Sequence, residues 1–511
     1  MEARRASRAE RADSLESPDS GPFGVARARA VGRVLLGVLL LLGACDRGPQ
    51  PAAEPARGEH PDLILISIDS LRADHLGCYG YDRPTSPVID RLAGEGVRCA
   101  EAISSTSWTL PSHAAIFTGL QDSAHGVTDP SRRLAAARVT LAERLRDAGY
   151  QTAGFYGAPF LHPVFGLDQG FETWQSCMGE IPDGMSREEV LSAMSPERAV
   201  MHGDVTGPRT LAAVEEWCAD ADERPCFLFV HLWDVHYDYL APPEYVERFD
   251  PGYEGPIDGL HVEDLLARGS ELEPRDLRHL LALYDAEIRF TDEILGRLLD
   301  ALERSGRFDD ALVVVTADHG EEFLDHGRIG HQVTLYDEVV HVPLIFHWPG
   351  HLAAGRVVEQ QVSLVSLAPA LLDLLGLPAT GAGERAHERA DATDLVDLLR
   401  GGHPAPRPAL AELLVDQPLY ALRSADLKVL YEPGHPTRVY GFDLVRDPLE
   451  EHRLGLRDDE RIPRAVMTLE SMLHAQGAAE GEANAGLDPE LRRRLESIGY
   501  LGGEDAAEEQ R

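Results

Sequence analysis

Lysine is nearly missing from this chain: Lys428 is the only one in 511 residues, and the remaining basic charge is arginine. Lysine and arginine together number 48 against 86 aspartates and glutamates, a formal net charge of −38. That balance excludes nucleic acid as a partner, because a phosphate backbone demands a basic face. Carboxylates in such excess describe a well-solvated surface. Cysteine is also scarce, six in all and none in CxxC spacing, which argues against a zinc–thiolate site. Past Cys45 there remain Cys78, Cys99, Cys177, Cys218 and Cys226, an odd number whose disulfide pairing sequence does not reveal. No internal repeat occurs, and no apolar run reaches the roughly 18 residues of a membrane-spanning helix.

What is present is a hydrophobic fraction of 43%, enough for a folded, enzyme-sized body. The length exceeds one compact core and predicts a large domain with a smaller one appended. At the start, Arg27, Arg29 and Arg33 precede "VLLGVLLLLGA" (34–44), which suits the core of a signal peptide. The run closes in "LGAC", similar to the lipobox of bacterial lipoproteins, in which the cysteine, here Cys45, is acylated and becomes the new N-terminus. An ordinary secretory signal and an uncleaved anchor are the alternatives. Each places the body in the cell envelope, on the periplasmic or extracellular side.

Residues 1–45 thus read as a signal peptide with lipobox and 46–60 as a Pro/Ala-rich tether. "DLILISID" (62–69), "CFLFVHLWD" (226–234) and "DALVVVTADHG" (310–320) are near-continuous apolar runs ending in Asp or His, the pattern of buried parallel strands. Helical spacing in "TLAERLRDAG" (140–149) and in 280–304 lies between them. Strand–helix alternation predicts an α/β layered sheet with right-handed crossovers, whose ligands sit beyond the carboxyl ends of the strands. The large domain is assigned to 61–400. From about Gly401 short alternating segments predict a small antiparallel sheet over 401–460, and 461–511 reads as helices and tail, with "AQGAAEGEANAG" as a flexible connector.

Asp69, Asp318 and His319, all at strand ends, are hard or borderline ligands suited to a divalent cation. Ca2+, Zn2+ and Mn2+ all fit carboxylates with one histidine. Thr109, two places before Pro111, is either the N-cap of a helix or a nucleophile.

"ILISIDSLRADHLGCYGY", "TLPSHAAIFTGL", "VTADHGEEF" and "TLYDEVVHVPLIF" occur in the order and approximate spacing of the sulfatase family of the alkaline phosphatase superfamily. "YDAEIRFTDEILGRLL", "FDLVRDPLEEHRL" and the terminal "LESIGYLGG" also resemble it, so the similarity covers roughly residues 60–503. The resemblance implies a metal-dependent hydrolase of anionic esters, with an alkaline phosphatase-like layered sheet, helices on both faces and a small C-terminal antiparallel sheet. It makes Asp69, Asp318 and His319 metal ligands, with Thr109 joining them, and puts Thr109 at the nucleophile position of a CxPxR or SxPxR pattern whose Cys or Ser matures to formylglycine. Here Thr109 replaces that residue, His113 replaces the arginine, and Ser70 replaces a second metal aspartate. Threonine does not yield formylglycine, and the family's sulfate-gripping lysines are missing. His113, His236 and His331 are the candidates for that grip and for catalysis. "HLWDVHYDYLAPPEY" matches the family's PHxPxxxPxxY segment loosely, and Asp234, His236 and His331 are candidate ligands of a second metal.

An unmodified hydroxyl on a metal attacks phosphorus or sulfur in line and leaves a covalent Thr ester. Its release needs a second attack at the central atom, familiar for phosphorus and awkward for sulfur, so phosphoester, phosphodiester or phosphonate substrates are expected. A transferase of phospho-head-groups in the envelope, and a catalytically inactive binding lipoprotein, are the other readings.

Overall fold

The computed structural model describes residues 60–179, 183–186, 189–190, 204–260, 262, 272–378, 394–415, 417–433 and 439–480. The signal segment with Cys45, residues 46–59 of the tether and residues 481–511 of the expected C-terminal helices and tail lie outside them. The described residues form one compact unit.

Along the chain come the strands β1 Leu63–Ile68, β2 Val97–Ile103, β3 Gln151–Tyr156, β4 Thr173–Ser176, β5 Cys226–Leu232, β6 Leu312–Ala317, β7 Glu322–Phe323, β8 Ile329–Gly330, β9 His341–His347, β10 Arg356–Val358, β11 Val362–Ser363, β12 Ala409–Leu413, β13 Leu419–Arg423, β14 Lys428–Tyr431 and β15 Val439–Phe442. Nine of them make the main sheet in the order β10-β2-β9-β6-β1-β5-β3-β4, with β11 also on β2. β1 lies between β5 and β6, parallel to both. All three strands are buried at every residue, which is why none alternates polar with apolar. Helices cover the sheet in two groups. Gly207–Asp220, Pro243–Phe249 and Pro87–Glu95 pack on the long helix Pro274–Arg304; Thr109–Thr118 packs with Asp122–His125, Leu141–Asp147 and Leu367–Leu374. Thr140 closes a capping box with Glu143, and Gly149 takes φ 92° just past the helix they start.

One strand departs from the parallel expectation. β9 runs antiparallel to both β2 and β6. Its link from β6 carries the β7–β8 hairpin and one short helical turn, Asp337–Val340, rather than the long crossover helix that commonly returns a parallel strand.

The small sheet is antiparallel in the order β12-β13-β14-β15. Its period-2 pattern is buried on both sides: Ala409, Ala411, Ala421, Leu430 and Phe442 join the main core, while Leu410, Leu422, Val429 and Tyr431 meet Ile462, Val466 and Leu469 of the helix Arg461–Glu480. That helix runs through residues 475–480, which the sequence had suggested were connector; three alanines there favour it.

Candidate active site

β1, β2, β5 and β6 point their carboxyl ends the same way, and the chemistry collects there. At the end of β1 the Asp69 amide donates to Leu232 O of β5 (2.9 Å), and Ser70 turns into φ 54°. That left-handed turn is held by Tyr284, whose hydroxyl donates to Ser70 O (2.7 Å). The Ser70 hydroxyl donates to Asp69 Oδ1 (2.9 Å), so where the resemblance implied a second carboxylate there is a neutral orienting group. Past β6, the backbone carbonyl of Asp318 accepts from the hydroxyls of Ser104 and Ser112, the latter at 2.8 Å, and the His319 amide donates to Asp318 Oδ1 (2.9 Å).

Thr109 is the first residue of its helix, not the cap. Trp108 holds the N-cap position, and no side chain caps there. Thr109 is 2% exposed, and its hydroxyl instead stands 3.4 Å from Asp69 Oδ2 and 3.4 Å from His319 Nε2. His319 Nε2 lies 3.6 Å from Asp69 Oδ1 and 3.4 Å from Asp318 Oδ2. These separations exceed good hydrogen bonds. They match the roughly 3.3 Å between neighbouring ligands of a tetrahedral ion with bonds of about 2 Å. Asp318 Oδ2 has no hydrogen-bond partner although fully buried. His319 Nδ1–H donates to Gly320 O (2.9 Å), which turns the Nε2 lone pair toward the carboxylates, as a ligand histidine requires. Asp69, Thr109, Asp318 and His319 therefore fit a divalent cation.

The electrostatics agree with that donor set. Burial opposes ionisation of Asp69, but the imidazoles of His231, His236 and His319 outweigh it and hold the carboxyl well below the usual range. Burial and the charge of Asp69 push Asp318 far up, the response of a second carboxylate with no cation beside it. Burial, with His331 nearby, lowers His319 to about 3, so its ring is neutral.

His331 and His236 border this cluster. The His331 ring lies 4.4 Å from that of His319 and 5.0 Å from that of His236, which stacks on Trp233 at 3.8 Å. His331 Nδ1–H donates to Glu321 Oε1 (3.0 Å). Burial pushes Glu321 up, and against burial the Glu321 charge pushes His331 up.

Two expected residues are placed differently. Asp234 is not with the cluster: its Oδ1 accepts the Thr206 amide (2.8 Å) ahead of the helix Gly207–Asp220, and burial raises its pKa to about 6. A strand-end carboxylate here anchors a loop instead of joining His236 and His331 as a ligand set. His113 is fully buried, with Nδ1–H donating to Thr109 O (2.8 Å) and Nε2 3.0 Å from Ser67 Oγ, so it holds the nucleophile's backbone and does not reach for a substrate anion. His231, which sequence reasoning passed over, lies in β5 opposite Ser67, with Nε2 3.3 Å from Asp69 Oδ2. Its only signal was one imidazole interrupting "CFLFVHLWD". Glu321 was likewise missed. Lys428 lies elsewhere, between Asp337 Oδ1 (2.9 Å) and Glu450 Oε2 (3.1 Å). The five cysteines from Cys78 to Cys226 are free thiols.

A mixed α/β sheet carrying a carboxylate–imidazole cluster and a buried hydroxyl at its carboxyl edge defines an ester-hydrolase site. The Sulfatase family model matches residues 61–377, and the chain belongs to the sulfatase family. It is a sulfatase-like ester hydrolase. It is similar to human arylsulfatase A, 28% identical over 404 residues, covering 70% of this chain and 71% of that protein. Its fold is similar to that of phosphonate monoester hydrolase of Agrobacterium radiobacter, with TM-score 0.63 and 23% identity over 82% of this chain and 96% of that one. It is also similar in fold to BT4656, solved in complex with its substrate D-glucosamine-2-N,6-O-disulfate, with TM-score 0.64 and 19% identity over 82% and 98% of the two chains.

Proposed function

We propose that this chain cleaves anionic phosphoric or phosphonic esters, with sulfuric esters as poorer substrates, through a covalent intermediate on Thr109. The observation that carries the reading is the Thr109 hydroxyl 3.4 Å from both Asp69 Oδ2 and His319 Nε2. Asp69, Asp318, His319 and Thr109 would hold a divalent cation, which when bound supplies charge neutralisation and a lowered hydroxyl pKa. Zn2+ or Mn2+ suits this set better than Ca2+, because an imidazole stands among the oxygens.

Asp69 Oδ2 faces the Thr109 hydroxyl at 3.4 Å and orients it for attack. The Thr109 proton is lost to solvent as the Oγ–P bond forms and the bond to the leaving oxygen breaks, and the proton held by His331 passes to that oxygen. His236, stacked and fixed beside His331, is the second donor at this face. Water then attacks phosphorus, one of its protons returning to His331, and the Thr109 oxygen departs and regains a proton from solvent. No formylglycine takes part. The chain has one lysine, so histidine takes over the anion grip. Names of similar proteins support both ester classes: an arylsulfatase and a phosphonate monoester hydrolase. We place the enzyme in the cell envelope, held to the membrane by a lipid on Cys45, on the strength of "LGAC" after the apolar run.

The test is turnover of aryl sulfate, aryl phosphate, bis-aryl phosphate and phosphonate monoester, with chelator and with metal restored. The expected order puts a phosphorus ester first, with loss in chelator. Preference for aryl sulfate would overturn the choice of phosphorus.

A further inference from the structure

The β7–β8 hairpin ends in two ionisable groups, of which the proposed mechanism uses one. Glu322 pairs with Gly330 and Phe323 with Ile329, antiparallel, so the next step of the same register sets Glu321 across from His331. The contact follows: His331 Nδ1–H donates to Glu321 Oε1 at 3.0 Å. The two adjacent glutamates divide the work. Glu322 accepts the amides of His326 (3.1 Å) and Arg328 (2.9 Å) and closes the turn, whereas the Glu321 side chain is given to the imidazole.

Glu321 is 0% exposed and pinned along its backbone, its amide donating to Glu338 O (3.1 Å) and its carbonyl accepting from Arg72 Nη1 (3.1 Å). Its other oxygen, Oε2, stands 3.5 Å from the Tyr239 hydroxyl. Among the described residues no arginine or lysine forms an ion pair with this carboxylate; His331 does. Taking a carboxylate out of water is costly and one imidazole is modest compensation, so fold stability does not account for a glutamate here.

Orientation of the ring does. An imidazole free to turn presents either nitrogen, and an acceptor held at Nδ1 leaves Nε2 for the leaving oxygen. The backbone of the same segment is set against the nucleophile loop by the Gln332 amide, which donates to Ser107 O (2.9 Å), two residues before Thr109.

We propose that Glu321 is the positioning residue of the acid: through Nδ1 it fixes the His331 ring so that Nε2–H delivers the proton to the leaving oxygen. The proposal rests on reading His331 as that acid. The Nε2–H bond breaks as the leaving oxygen gains its proton, and a proton of the attacking water restores it in the second step. Glu321 exchanges no proton, and Nδ1–H stays in place throughout.

The experiment measures kcat/KM over aryl phosphates of graded leaving-group acidity, with circular dichroism as the check on fold. The chains compared are the wild type, Glu321→Met, Glu321→Gln, His331→Asn and the double variant Glu321→Met/His331→Asn. Methionine and glutamine both match glutamate in length, so the pair differs in the acceptor and not in the space filled. Glu321→Met should lose about 10²-fold on poor leaving groups and much less on nitrophenyl esters, the pattern of His331→Asn. Glu321→Gln, which keeps an acceptor for Nδ1–H, should recover most of that loss, and the double variant should be no worse than His331→Asn alone. Equal loss across the series in Glu321→Met, with His331→Asn still dependent on the leaving group, would overturn the positioning role and leave the acid standing. Losses that add in the double variant, or a glutamine variant as poor as the methionine one, would overturn it too. A flat series for His331→Asn would overturn the acid and this proposal together.

Discussion

Thr109 and His331 do different work, and their variants should fail in different ways. Thr109→Ala should lower turnover by about three orders of magnitude or more with the fold intact, as loss of a nucleophile does; steady-state kinetics with circular dichroism measures both. Undiminished turnover would remove Thr109 from the chemistry. His331→Asn should lose about 10²-fold on esters with poor leaving groups and much less on nitrophenyl esters, because a good leaving group needs no proton. A flat response across a leaving-group series would end its role as acid. At this scale Asp69, Asp318 and His319 were legible because carboxylates and an imidazole stood at the ends of apolar runs, and Thr109 because its segment resembles the family's nucleophile pattern. His231 was not, since one histidine inside a buried strand reads as core until its neighbours across the sheet are known. Asp234 looked like a ligand for the opposite reason: the amide that takes its Oδ1, at Thr206, lies 28 residues away.

Between elements, the small sheet is tied to the large one by buried charge. Arg423 at the end of β13 and Lys428 at the start of β14 both reach Asp337, which precedes β9, and Lys428 also reaches Glu450. Burial resists ionisation of Asp337, yet Lys428 and Arg423 hold its pKa far down. Lys428→Met should destabilise the fold by about 3 kcal/mol, because it strands buried carboxylates; urea unfolding gives the value. A neutral result would mean that the pair roughly cancels its own desolvation. The hairpin is tied in by His326, whose Nδ1–H donates to Glu338 Oε1 (2.6 Å) and Nε2–H to Glu450 O (3.1 Å). Burial lowers the His326 pKa, but Glu338 more than offsets this and pushes it up to about 9. A raised pKa in the folded state stabilises fully below the unfolded value of about 6.5. That contribution fades as pH rises through about 9. The advantage of wild type over His326→Gln should therefore be about 1–2 kcal/mol at pH 6, after allowance for solvent screening, and vanish by about pH 10. An advantage constant with pH would exclude the ionised pair. The buried strands β1, β5 and β6 were visible as apolar runs, whereas the reversal of β9 was not. Its run "HVPLIF" looks the same in either direction, and only the length of the link decides.

For the whole molecule, ordering four ligands around an ion should couple metal content to stability. At a free concentration about 1,000 times Kd an ion adds about 4 kcal/mol, so chelation should lower Tm by a few degrees or more, and restored Zn2+ should recover it. Identical melting curves with and without chelator would deny a resident ion. Among the described residues no helix is long and apolar enough to cross a membrane. The lipid attachment proposed at Cys45 predicts that Cys45→Ala moves the protein from the membrane pellet to the soluble fraction, and an unchanged distribution would overturn it.

The side chain of Lys428 is 0% exposed. Reagents aimed at amines, such as succinimidyl esters and aldehyde fixatives, therefore find no side-chain amine on the surface of the folded chain, and only the chain terminus can react. Acylation at position 428 becomes a built-in report of unfolding, readable by mass spectrometry at a single peptide.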